Sequence, residues 1–261
     1  MEQIQNNRVI TDLYRENAQF PGIALDGSDV YLCWQRFVDR HDSLMASCRR
    51  GDEVVWEREI SDGGEVLHPV ILAHGGAIWY AWSEYARENW RILARCYRDG
   101  QWGEVLTVAS GEALFFPRLF TWQGKLHVIW TEQHKGSAAA VLCPLTEAGP
   151  GAAETVSVVG EAYRAGAAEG GDGNLYVAYD GFDGKQYKLF ARARTAAGWS
   201  EEIVVSQGED WASTPWIAAK PDGAVVGWYD YGYMAVYSVR SADLTVRDGA
   251  LAAVNPQCLK E

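Results

Sequence analysis

Four carboxylates, Glu84, Glu132, Asp180 and Asp230, stand one or two residues beyond an aromatic residue that ends an apolar run: Trp82, Trp130, Tyr179 and Trp228 respectively. If the chain brings them together, mutual repulsion raises some of their pKa values and leaves others ionised, which is what acid and base pairs require. Glu84 and Glu132, in neighbouring copies of the same pattern, would then fall within the roughly 6.5–9.5 Å separation of inverting glycosidases. The same exits supply Arg36, Phe37, Tyr85, Phe182 and Tyr231. A second column, ahead of a proline in four cases and of Ala165 in the other, holds Phe20, His68, Phe116, Arg164 and Thr214. Aromatic faces in such a funnel would bind a sugar ring or a cation. Arg36 and Arg164 could clamp a substrate carboxylate through paired bonds or neutralise the surrounding acids. His68 reads as an acid, a base or a ligand, or as a plain hydrogen-bonding residue beside proline. The bland alternative is that acidic and glycine residues are ordinary loop chemistry.

The elements that must position these residues come from an internal repeat. Trp34, Trp82, Trp130, Tyr179 and Trp228 end similar apolar runs at spacings of 48, 48, 49 and 49 residues, and a fixed period of that size marks a repeat architecture. Upstream of each run lies a shorter apolar segment opened by Pro21, Pro69, Pro117 or Pro215, with Ala165 in the fourth copy. Turns such as Asp26-Gly27, Asp172-Gly173 and Asp222-Gly223 separate segments that alternate with period two and are rich in β-branched and aromatic residues, so they read as strands. Five four-stranded antiparallel sheets packed about an axis make an all-β, five-bladed β-propeller. The expected blades are 20–66, 67–114, 115–162, 163–210 and 211–261. Residues 8–12, which align without a gap two periods upstream of 104–108, are expected to complete the last blade near Met234–Ser238 and so close the ring. Small residues before the terminal aromatic (Cys33, Ala81, Ala178, Gly227) are expected to let neighbouring sheets approach.

Composition bounds the partners. With 23 Lys and Arg against 35 Asp and Glu, the net charge of −12 repels phosphate backbones and anionic bilayers, so neither nucleic acid nor membrane is expected. The first residues lack the basic and apolar regions of a secretory signal, and the five cysteines form an odd set without a C-x-x-C pair; both features lead to an expectation of a cytoplasmic protein. Cys48, Cys96 and Cys143, at nearly equivalent places, read as buried small residues, and His127, in a column of aromatics, as a packing residue. His41 and His134 read as simple polar loop residues. Zinc, P-loop, dinucleotide, EF-hand and G-x-S-x-G patterns do not occur, so neither a metal nor a cofactor is expected.

The strand, turn and Trp arrangement in Arg98-Asp99-Gly100-Gln101-Trp102 and Ala196-Ala197-Gly198-Trp199-Ser200 resembles degenerate Asp-box units of the sialidase-like β-propeller superfamily. The resemblance covers residues 8 to about 240 and lies in the scaffold: the full Ser-x-Asp-x-Gly-x-x-Trp box is absent, and that family's arginine triad and Tyr/Glu pair have no placed counterpart here. A five-fold repeat is also similar to arabinanase and fructosidase-type glycosidases, whose first strand carries a catalytic Asp where this chain has Gln19 and Phe20. A shared scaffold does not assign chemistry; the funnel's own carboxylates and aromatics lead to the expectation of a small-molecule or carbohydrate-active enzyme, glycosidase-like or a cyclase or isomerase stabilising a cationic transition state. Its catalytic residues would be Glu84, Glu132, Asp180 and Asp230, with a small molecule or glycan in the axial pocket. A lectin-like propeller, with equivalent pockets between blades, and a protein-interaction scaffold are the alternatives. The exit triplets differ from copy to copy, which favours one asymmetric site.

Overall fold

The computed structural model describes residues 17–61, 63–232 and 237–260, and all of its regular structure is β-strand. The strands form five antiparallel sheets in chain order. The first sheet runs Asn17–Asp26, Asp29–Val38, His41–Arg50 and Glu53–Glu59; the second begins with Glu65–His74, Ala77–Ala86 and Asn89–Arg98; the third with Ala113–Trp122, Lys125–His134 and Ser137–Thr146. Ala162–Glu169, Leu175–Phe182 and Tyr187–Thr195 open the fourth, and Trp211–Lys220, Gly223–Tyr231, Tyr237–Arg247 and Ala250–Lys260 make the fifth. This is a five-bladed propeller.

In the middle three blades the outer strand is broken into two pieces, such as Gln101–Trp102 and Leu106–Gly111 in the second. An arginine on the third strand bridges the break in two of them. Arg95 Nε donates to the Gly103 carbonyl at 2.8 Å and Arg192 Nε to the Ser200 carbonyl at 2.9 Å. Each guanidinium also lies over a tryptophan of the hairpin, 5.2 Å from the Trp102 ring and 5.3 Å from the Trp199 ring. The two sequence units that resemble Asp-boxes are therefore hairpins whose Trp is held by packing and a cation.

Apolar cores join consecutive blades. Tyr31, Leu44, Tyr80 and Trp82 connect the first to the second; Trp79, Leu126, Ile92 and Trp130 belong to the cores between second and third; Ile129, Leu175 and Tyr179 link third to fourth; Tyr176, Leu189, Val226 and Trp228 link fourth to fifth. Every terminal aromatic from Trp82 onward faces the preceding blade. Among the described residues no such core joins the fifth blade to the first, and Ile23 and Leu25 on the first strand are 65% and 64% exposed. The expected closing strand, residues 8–12, lies outside the described residues. Against the third strand of the last blade, the outer place along Val239–Arg247 is filled by Ala250–Lys260 from the same blade.

Two local expectations need correction. Proline does not open the first strand of a blade; the four strands that carry one begin four residues earlier, and the proline falls inside a bulge. Gly227 is small because the Trp216 ring of its own sheet covers it, whereas Cys33 lies between its partner Gly22 and the neighbouring blade, as the spacing argument requires.

Candidate axial ligand site

In all five blades the pairing of the first two strands slips by one residue at the same place: between Gln19 and Gly22, Leu67 and Val70, Phe115 and Arg118, Tyr163 and Gly166, and Ser213 and Trp216. Two residues of the first strand thus oppose the terminal aromatic of the second. The first bulge residue has a left-handed backbone each time: Phe20 (φ 51°), His68 (53°), Phe116 (55°), Arg164 (31°) and Thr214 (54°). Such a conformation costs a non-glycine residue on the order of 1–3 kcal/mol. The proline that follows in four blades has no N–H to lose from the ladder, so a bulge tolerates it. Bulges re-aim side chains, and here the five converge.

They line one cavity of about 300 Å³ on the propeller axis, walled by Phe20, His68, Phe116, Arg164 and Thr214 together with their following prolines and Arg118. The lining is asymmetric. His68 sits between two phenyl rings, 5.0 Å from Phe20 and 4.2 Å from Phe116 between centroids, which gives a continuous aromatic arc over three blades. Arg164, Thr214 and Arg118 supply the polar part. Phe20 remains 44% exposed, an apolar ring open to the cavity.

Burial pushes the His68 pKa down to about 4, with Arg118 adding to the effect, and its Nδ1 is buried without a hydrogen-bond partner. The imidazole is therefore neutral at physiological pH. Histidine NMR should show no titration of His68 between pH 5.5 and 8. An inflection near 6.5 would contradict the burial assigned to it.

The four acids do not share this cavity. Glu84 is fully buried beside Gly64, where it accepts from Arg91 and from Trp82 Nε1 at 3.3 Å. Asp230 repeats the arrangement, accepting from Trp228 Nε1 at 2.6 Å with Arg240 at 3.2 Å. It lies in a separate cleft of about 370 Å³ with Asp210, Gln207 and Gln257. Burial raises its pKa, against the lowering by Trp228 and Arg240. Glu132 is exposed in a surface depression that His134 also lines. Asp180 is fully buried but follows its aromatic by one residue, where the others follow by two. Strand alternation therefore turns it to the opposite face, toward the next blade. There it accepts from Arg164 and, at 3.4 Å, from the Thr214 backbone N–H. Desolvation raises its pKa, opposed by Arg164. The arrangement in three blades is a buried carboxylate held by an arginine, and only Asp180 touches the axial site, through Arg164.

Of the binding residues read from the sequence, His68, Phe116 and Arg164 line the cavity. Arg36 pairs with Glu59 at 3.1 Å instead. Tyr85 packs on Trp90, Phe182 on Tyr187 and Tyr231 on Tyr237, with centroids 5.3, 5.5 and 4.6 Å apart, and Phe37 is exposed; none of these, nor Arg36, lines the axial cavity. Arg118 was not singled out by sequence reasoning. Its column, two beyond the bulge residue, reads Gly22, Val70, Arg118, Gly166 and Trp216; a single charge among small and apolar residues was the available signal. Among the described residues no group of His, Cys, Asp and Glu could hold a metal ion, and no helix is long and apolar enough to cross a membrane.

Fold and site together define a β-propeller with a small aromatic and cationic cavity on its axis. No family model and no curated protein matches the sequence. Solved structures do share the fold. A thermostable family-43 glycoside hydrolase superposes with a TM-score of 0.52 at 11% identity over 94% of this chain and 95% of its own. A mannose phosphorylase from Leishmania mexicana gives 0.52 at 11% over 84% and 81%. A puromycin-hydrolyzing peptidase of Mycobacterium tuberculosis gives 0.58 at 17% identity over 92% of this chain but only 37% of its own. At such identities the likeness is one of fold.

Proposed function

We propose that the axial cavity recognises a single carbohydrate-sized ring. The observation that carries this is the convergence of five bulge residues into one asymmetric cavity, with an aromatic arc on one side and hydrogen-bonding and cationic groups on the other. A few convergent polar groups in a largely apolar concavity is the usual make-up of a small-molecule site, and about 300 Å³ lies at the small end of the range. A ring ligand would lay its apolar face on Phe20 and Phe116 and direct hydroxyls to His68 and Thr214. The carbohydrate substrates named for two of the structural neighbours lend the substrate class some support.

Recognition, rather than glycoside hydrolysis by a carboxylate pair, suits the residues present. That chemistry needs two carboxyl groups flanking the scissile bond, and none of the described residues lining the cavity is acidic. His68 is too weak a base to replace them efficiently at neutral pH. The finer sialidase-like reading draws no support from the lining either. Phe116→Ala is expected to weaken binding of a hexose about tenfold by calorimetry, from stacking worth about 0.5–1.5 kcal/mol plus lost apolar contact. Unchanged binding would move the site away from the axis.

A further inference from the structure

The geometry points to a ligand that carries a compact anionic group, a carboxylate or a phosphate, paired with Arg118 at the axis. This rests on the axial cavity being the ligand site and adds the ligand's charge. Three observations carry it. Arg118 lines the cavity on the same strand as Phe116, two residues on. Arg118 forms no ion pair or hydrogen bond with any described residue, whereas the other axial cation, Arg164, is committed to Asp180. The cavity wall holds no described carboxylate although the chain as a whole is strongly acidic.

Arg118 is exposed and lines the cavity; the protein around it lowers its pKa by partial desolvation, and no neighbouring acid offsets the effect. A guanidinium is built to meet carboxylate or phosphate oxygens two at a time, and this one, open to the cavity, meets none among the described residues. The partner missing from the protein is supplied by the ligand. His68 fits the same picture: held neutral beside Arg118, it adds a hydrogen bond without competing for the anion. Around a chain of net charge −12, a lone positive cavity also selects for ligands small enough to enter it, since a large polyanion would meet the acidic exterior first.

The test is calorimetry on the wild-type chain and on R118Q with four probes: glucose, glucuronate, glucose 6-phosphate and inorganic phosphate. The expected result is that at least one anionic probe binds tenfold or more tightly than glucose, that salt weakens it, and that R118Q brings it down to the glucose level. Preference for glucuronate identifies a carboxylate, for glucose 6-phosphate a phosphorylated ring, and for inorganic phosphate a free anion. R118Q should also melt no lower than wild type, because it removes an exposed charge that no described residue pairs with; binding lost while stability is kept marks a residue held for function. Glucose and the anionic sugars binding equally, with R118Q altering neither, would overturn the anionic ligand while leaving the ring site standing. Binding of no probe, or binding untouched by both R118Q and Phe116→Ala, would overturn both.

Discussion

Arg164→Met is expected to lower stability by about 3 kcal/mol at pH 7.5, the low end of what breaking a buried ion pair costs, and the deficit should shrink as the pH falls. Arg164 is partly open to the axial cavity while Asp180 is fully buried, so the loss comes mainly from stranding the carboxylate. Asp180 already has its pKa raised by desolvation, with the pull of Arg164 opposing that rise; without the arginine it rises further. For an acid whose folded pKa is raised, the penalty is absent below its ordinary pKa, grows as pH climbs from there to the folded value and is constant above it. The difference between variant and wild type should therefore be largest at neutral pH and small near pH 4. Denaturant unfolding of both proteins across that range measures it. Adding Asp180→Asn should recover much of the loss at neutral pH, since contacting residues are not additive. A deficit independent of pH would mean that Arg164 stabilises through packing alone.

Trp82→Ala is expected to cost about 3–5 kcal/mol, as large aromatic truncations in a core do. Trp82 is fully buried in the core between the first two blades, and its indole N–H also donates to the buried Glu84. A gentler series separates the two effects. Trp228→Phe keeps most of the ring but removes the donor that Asp230 accepts at 2.6 Å, and a hydrogen bond to a charged group is worth about 1.5–3 kcal/mol. Trp130→Phe removes an N–H that has no partner and should be the milder of the two. Equal losses in both variants would show that the carboxylates beyond these aromatics do not depend on the indole donors.

The repeat was legible because the second to fifth blades each bury an aromatic against the blade before, and that need recurs every 48 or 49 residues in the sequence. The entry column was legible for the same reason: Phe20, His68, Phe116, Arg164 and Thr214 occupy one place in five copies, and the structure brings all five to the axis. What the sequence concealed was direction. A one-residue bulge decides where those side chains aim, yet the proline that accompanies it reads equally well as a strand opener. The exit acids show the same limit. Glu84 and Asp230 lie two residues past a tryptophan and return to its face, where the indole and an arginine hold them between blades. Asp180 lies one residue past Tyr179 and turns to the other face. Glu132, at the same offset as Glu84, stays at the surface. Grouping the four by position along the loop overlooked strand parity. Arg118 was hidden by the opposite fault, a single departure in a column of otherwise unremarked residues.

The most direct test of the axial site is a crystal structure of the chain soaked with the tightest-binding sugar acid or sugar phosphate. The account predicts density on the propeller axis, with the ring against Phe116 and the anionic group on the Arg118 guanidinium. Density instead in the cleft beside Asp230 and Arg240, or in the depression beside Glu132, with the axis empty, would contradict it.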